Sequence, residues 1–223
     1  MYVYSRWLLT DGNRKTESVI AAFAAGVGGE VGGSEPEVVE GEGGSLIRRI
    51  IEYDDLHSSE WDATPTTRGR WIIGVGNIAA KDGLGSRLVG ILTPSASLTE
   101  HLAADLADCL EEEHEPVVFS LNAFLQSTEE VGSAHASSVR LVEDSTRVLV
   151  QSNDHEALRA MVNDLRGNPV GVTIRGEEGK VTITDGGSVI FSDSTSATTV
   201  LGLMNAIVDV HAIPVSTSAS VRA

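Results

Sequence analysis

Three short runs in the C-terminal third constrain the fold most. Val170, Val172 and Ile174 alternate with small or polar residues, as do Val181 with Ile183 and Val189 with Phe191. Gly179 and Gly186-Gly187 stand at the breaks between them. A period of two interrupted by glycine means antiparallel strands on tight turns, one face dry and the other wet. The dry face needs an apolar cover, and the flanking sequence supplies two helices. Asn153 or Asp154 can cap one that bears Leu158, Met161, Val162 and Leu165 on one side, stopped by Gly167 and Pro169. Ser194 or Thr195 can cap the other, with Val200, Leu201, Leu203, Met204, Ile207 and Val208 around most of its circumference. Residues 139–142 and 147–150 flank 143–146 as a hairpin.

The first half reads less cleanly. Residues 2–9 form an apolar-rich strand ended by Asp11-Gly12-Asn13. Thr16 can cap a helix with Val19, Ile20, Phe23 and Val27. Residues 38–39, 46–53, 71–75 and 87–92 read as strands. Ser97 and Glu100 have capping-box spacing ahead of Leu98, Leu102, Leu106 and Leu110, and Cys109 joins that leucine face. Val117, Phe119 and Leu121 alternate as a closing strand. The expected class is α+β, mainly antiparallel sheet with three to four helices packed on one face, in two subregions. The boundaries fall at an N-terminal α+β region over 1–125, a polar linker or loop over 126–137, a C-terminal α+β region over 138–213 and a Ser/Thr-rich tail over 214–223.

Charge bears on the setting. Asp and Glu number 32 against 16 Lys and Arg, a formal net charge of −16. Of the basic residues only Lys15, Lys81 and Lys180 are lysine. This composition resembles that of proteins from salt-loving archaea. At molar salt the Debye length is about 3 Å, so crowded carboxylates hardly repel one another. The acidity is then an adaptation to solvent and does not imply a basic partner. No run of 18 apolar residues is present, so membrane insertion is not expected. The opening residues lack the pattern of a secretory leader, so the expected location is cytoplasmic.

Candidate sites are sparse. Asp54, Asp55, His57, Glu60 and Asp62 form the densest set of oxygen and imidazole donors, which would suit a divalent cation; no other cofactor is expected. Arg48, Arg49, Arg68 and Arg70, with Trp61 and Trp71 nearby, are a candidate basic face for nucleic acid. Gly74-Val-Gly-Asn-Ile-Ala79 matches a relaxed dinucleotide pattern, but Lys81-Asp-Gly-Leu-Gly85 breaks any following helix, so a glycine-rich connection is the expectation. His101, Asp105 and Asp108 share a helix side that the leucines leave to water. Cys109 is expected to be a small buried hydrophobe. No nucleophile elbow or phosphate-binding loop occurs.

The expected function is a non-enzymatic binding or assembly module of a halophilic cytoplasm. It would engage a protein partner or itself, through Val200, Leu201, Leu203, Met204, Ile207 and Val208. A metal-assisted hydrolase built on Asp54–Asp62 is the first alternative, and a nucleic-acid-associated protein the second.

Overall fold

A strand from each half of the chain meets at β1 (Tyr2–Thr10), and the sheet is continuous through it. The computed structural model describes residues 2–26, 35–41, 43–54, 68–80, 85–110, 114–126, 135–143, 145–165, 167–176, 179–192 and 196–209. On one edge β1 pairs with β5 (Arg87–Thr93). On the other, its first half pairs with β11 (Ser188–Ser192) and its last three residues with β6 (His114–Pro116). Beyond β5 lie β4 (Arg68–Ala79), β3 (Gly44–Asp54) and the edge strand β2 (Glu37–Gly41). Beyond β11 lie β10 (Gly179–Thr184), β9 (Asn168–Gly176), β7 (His135–Glu143) and the edge strand β8 (Thr146–Gln151). Every pairing is antiparallel.

The antiparallel α+β expectation holds, and the helix arrangement is corrected. Five helices are present among the described residues, and they cover both faces. Helices α1 (Arg14–Gly26) and α2 (Ala96–Leu110) pack on one face against Ile73, Val75, Val89 and Ile91. On the opposite face lie α3 (Leu121–Gln126), α4 (His155–Asp164) and α5 (Ala197–Asp209), in a core with Leu46, Ile78, Val139, Val172, Ile183 and Phe191. The physical reason is in β4 and β5. They are apolar on both sides, as strands covered on both faces must be. Leucines 98, 102, 106 and 110 of α2 are all buried there. Each contributes about 1.5–3 kcal/mol by leaving water.

Glycines let the largest side chain into the sheet. Trp7 is 2% exposed and lies over Gly90 of β5 and Gly76 of β4. A Cβ at Gly76 would stand 2.7 Å from the indole Cη2. The Trp7 indole N–H donates to Ser5 Oγ at 2.8 Å, and the Ser5 hydroxyl donates to the Val189 carbonyl at 2.8 Å. The glycines of the dinucleotide-like pattern are therefore strand residues, of which Gly76 makes room for the indole and Gly74 for Leu46 and Leu92.

The cap of α4 falls where expected, at Asp154, and those of α1, α2 and α5 fall one to three residues from the expected positions. Asn13 caps α1, accepting from the Thr16 amide at 2.9 Å. Ser95 precedes α2 and its Oγ accepts from the Leu98 amide at 3.4 Å, while Glu100 turns to Arg6 at 2.5 Å. Asp154 caps α4, accepting from the Ala157 amide. Ser196 caps α5, accepting from the Thr199 amide at 3.1 Å. Leu121 opens α3 instead of closing a strand. Of the expected linker, 135–137 belong to β7, Gln126 ends α3 and the rest lies outside the described residues, as does the tail over 214–223. Among the described residues no helix is long and apolar enough to cross a membrane.

Candidate anion-binding face

The two halves of the sheet differ on the face that carries α1 and α2. Over β1, β3, β4 and β5 those helices cover it. Over β7 to β11 no described helix does, because α3, α4 and α5 all pack on the other side. The alternation that buries Val172, Ile174, Val181, Ile183, Val189 and Phe191 turns their neighbours outward. The open face accordingly holds Thr173 and Arg175 of β9, Lys180 and Thr182 of β10, and Ser188, Ile190 and Ser192 of β11. β7 adds Ser138 and Arg140, and β8 adds Arg147, Leu149 and Gln151.

The charges on this face all have one sign. Arg140, Arg147, Arg175 and Lys180 are exposed, and none of these strand positions is Asp or Glu. In a chain with twice as many acids as bases, that is a local inversion of charge. None of the four cations makes an ion pair among the described residues. Lys180 stands directly opposite Arg175 in the ladder. Opposed side chains in such a pair have Cβ atoms about 4.5–5.5 Å apart, where like charges destabilise.

Beside this pair a shallow cavity of about 300 Å³ opens. Arg175 and Lys180 line it together with Ser137, Thr173, Gln151 and Asn153. A bulge in β7 between Ala136 and Ser138 places Ser137 there, and the Ser137 hydroxyl donates to the Thr173 carbonyl at 3.2 Å. Thr173 and Thr182 join hydroxyls at 3.0 Å. Two cations and a ring of uncharged donors suit a phosphate or carboxylate ligand.

The sequence-derived candidates fare differently. Val200, Leu201, Met204, Ile207 and Val208 are buried in the core of the chain itself, and Leu203 packs against that core. The apolar girth of α5 is used against β2, β3 and β4, so these six do not form an outer surface. Arg48 and Arg49 are neighbours on one strand and point to opposite faces. Arg48 pairs with Glu37 at 2.6 Å, and Arg49 donates to the Ala25 carbonyl. Register sets Arg68 opposite Asp54 and Arg70 opposite Glu52. Of the metal cluster, Asp54 ends β3, while Asp55, His57, Glu60 and Asp62 lie outside the described residues. Among the described residues no group of three or more His, Cys, Asp and Glu gathers to hold a metal. His101 and Asp105 form an exposed pair at 3.7 Å on α2. Cys109 is exposed, not buried, because it lies beside the leucine stripe and not within it.

Arg140, Arg147, Arg175 and Lys180 were not singled out by sequence motifs. Their signal is the polar half of the alternation whose apolar half revealed the strands. Comparison with protein-family models and with curated proteins finds no match for this chain.

Proposed function

We propose that this protein is a binding module that engages an anionic partner through the open face of β7 to β11, in the cytoplasm of a salt-accumulating cell. One observation carries the reading: Lys180 and Arg175 are set directly opposite each other, on a face whose described positions in β7 to β11 include no Asp or Glu. Opposed like charges cost the free protein stability. A local rule broken with no compensating ion pair among the described residues marks a functional surface. An anion seated between the two would turn the repulsion into attraction. The acid-rich remainder of the chain supports the salt-rich setting. There the Debye length is about 3 Å, so only groups in direct contact with the ligand add binding energy. Unpaired cations beside hydroxyl donors meet that condition.

The test compares thermal unfolding of the wild type and Lys180→Thr, with and without inorganic polyphosphate at matched ionic strength. Without polyphosphate, Lys180→Thr is expected to be the more stable by about 0.2–1 kcal/mol, since it removes the opposed pair. With it, the wild-type midpoint rises and that of the variant does not. Equal rises in both proteins, or none in either, would refute the reading.

A further inference from the structure

We infer that the occupant of the open face is a single-stranded nucleic acid laid across β9, β10, β11 and β1; this rests on the anion-binding reading and names its ligand. The strands bring one row of side chains together. Arg175 is opposite Lys180, the Lys180 amide donates to Ser192 Oγ at 3.4 Å, and Ser192 is opposite Tyr2. Neighbouring strands are about 4.8 Å apart, so the row from Arg175 to Tyr2 spans about 14 Å. Cations occupy one end and an aromatic ring the other. Tyr2 is 59% exposed. Aromatic residues make up 4% of the chain, and two of its three tyrosines, Tyr2 and Tyr4, lie on this strand and this face.

Each element of the row has a use for a single strand. Arg175 and Lys180 meet phosphates. The Tyr2 ring offers a platform on which a base can stack, which an open strand allows and a duplex does not. The hydroxyl and amide groups of Ser137, Thr173 and Gln151 around the cavity can pair with sugar or base edges. An acidic protein would use the cations alone. Arg140, opposite Gly171 and so two same-face positions from Arg175, and Arg147, farther along the strands, extend the cationic track.

The experiment measures anisotropy of a labelled 12-mer of oligouridylate, and separately of oligothymidylate, against the full chain over a potassium chloride series. Circular dichroism confirms the fold at each salt. Four phosphate contacts predict a slope of log K against log salt near −2.8, at about −0.7 per contact on a single strand. Arg175→Ala/Lys180→Ala is expected to flatten that slope by about 1.4. Tyr2→Ala is expected to weaken binding roughly five-fold or more, with Tyr2→Phe restoring it, because stacking needs the ring and not the hydroxyl. Arg159→Ala, on α4 across the sheet, leaves binding unchanged. Unaltered affinity in Tyr2→Ala, or equal affinity for duplex DNA, overturns the inference. So does binding to polyglutamate or polyphosphate with none to either oligonucleotide, an outcome that leaves the anion-binding reading intact. Failure to bind any polyanion overturns both.

Discussion

Replacing Gly90 by alanine tests the account of the sheet centre. A Cβ there would overlap Cδ2 and Cε3 of the Trp7 indole and stand 2.7 Å from Cε2. The ring cannot yield easily. It is 2% exposed, and its N–H is held by Ser5 Oγ at 2.8 Å. Overpacking a filled core costs about 1–3 kcal/mol. Displacing the indole also strains the bond to Ser5, worth about 0.5–1.5 kcal/mol. Against this, removing a glycine from a strand returns about 0.5–1 kcal/mol. The expected net loss is about 0.5–4 kcal/mol. For a chain of this size that lowers the thermal midpoint by about 2–4 °C per kcal/mol. The assay is unfolding followed by circular dichroism and tryptophan fluorescence. A cycle with Trp7→Leu isolates the contact, because Gly90→Ala should cost at least about 1 kcal/mol less once the indole is gone. Equal cost in both backgrounds, or a neutral Gly90→Ala, would refute the packing argument.

Two further outcomes follow from the same geometry. Gly202 lies exposed within α5 and a Cβ there meets nothing within 4 Å, so Gly202→Ala should raise stability by about 0.5–1 kcal/mol in denaturant unfolding. Cys109 is exposed on α2, so the folded protein should react with a thiol reagent to one equivalent without denaturant, whereas a thiol that reacts only after unfolding would contradict its placement.

The meander, both C-terminal helices and the β7–β8 hairpin were legible because their signals are local: a period of two, glycine turns and helical spacing. What was not legible depends on neighbours far apart in sequence. Nothing within residues 2–10 says that β1 will pair with β11, which follows it by nearly the whole chain. Helices on both faces were not legible either. Ile73 and Val75 alternate with Gly74 and Gly76, and glycines on a face read as an absence of apolar signal although Leu46 and Leu92 fill the space at Gly74 and the Trp7 indole that at Gly76. The caps of α1, α2 and α5 were displaced because candidate capping residues are plentiful near each start. Only the amide that is left unpaired decides among them, as at Ser95 against Ser97.

The same contrast governs the candidate site. The basic cluster of Arg48, Arg49, Arg68 and Arg70 is close in sequence, yet adjacent strand positions face opposite ways, and Arg48 and Arg49 are separated by the thickness of the sheet. Arg140, Arg147, Arg175 and Lys180 are spread over 41 positions, counting 140 to 180 inclusive, and are gathered by strand order. Each is unremarkable on its own strand, where a polar residue is owed to water. They become a surface only when β8, β7, β9 and β10 lie side by side, with no Asp or Glu among the described strand positions on that face. Chance placement in so acidic a chain would set carboxylates among those positions, and pairing them with the arginines would have stabilised the sheet. The free protein forgoes that stabilisation at Arg175 and Lys180, the cost expected of a face kept open for a negatively charged ligand.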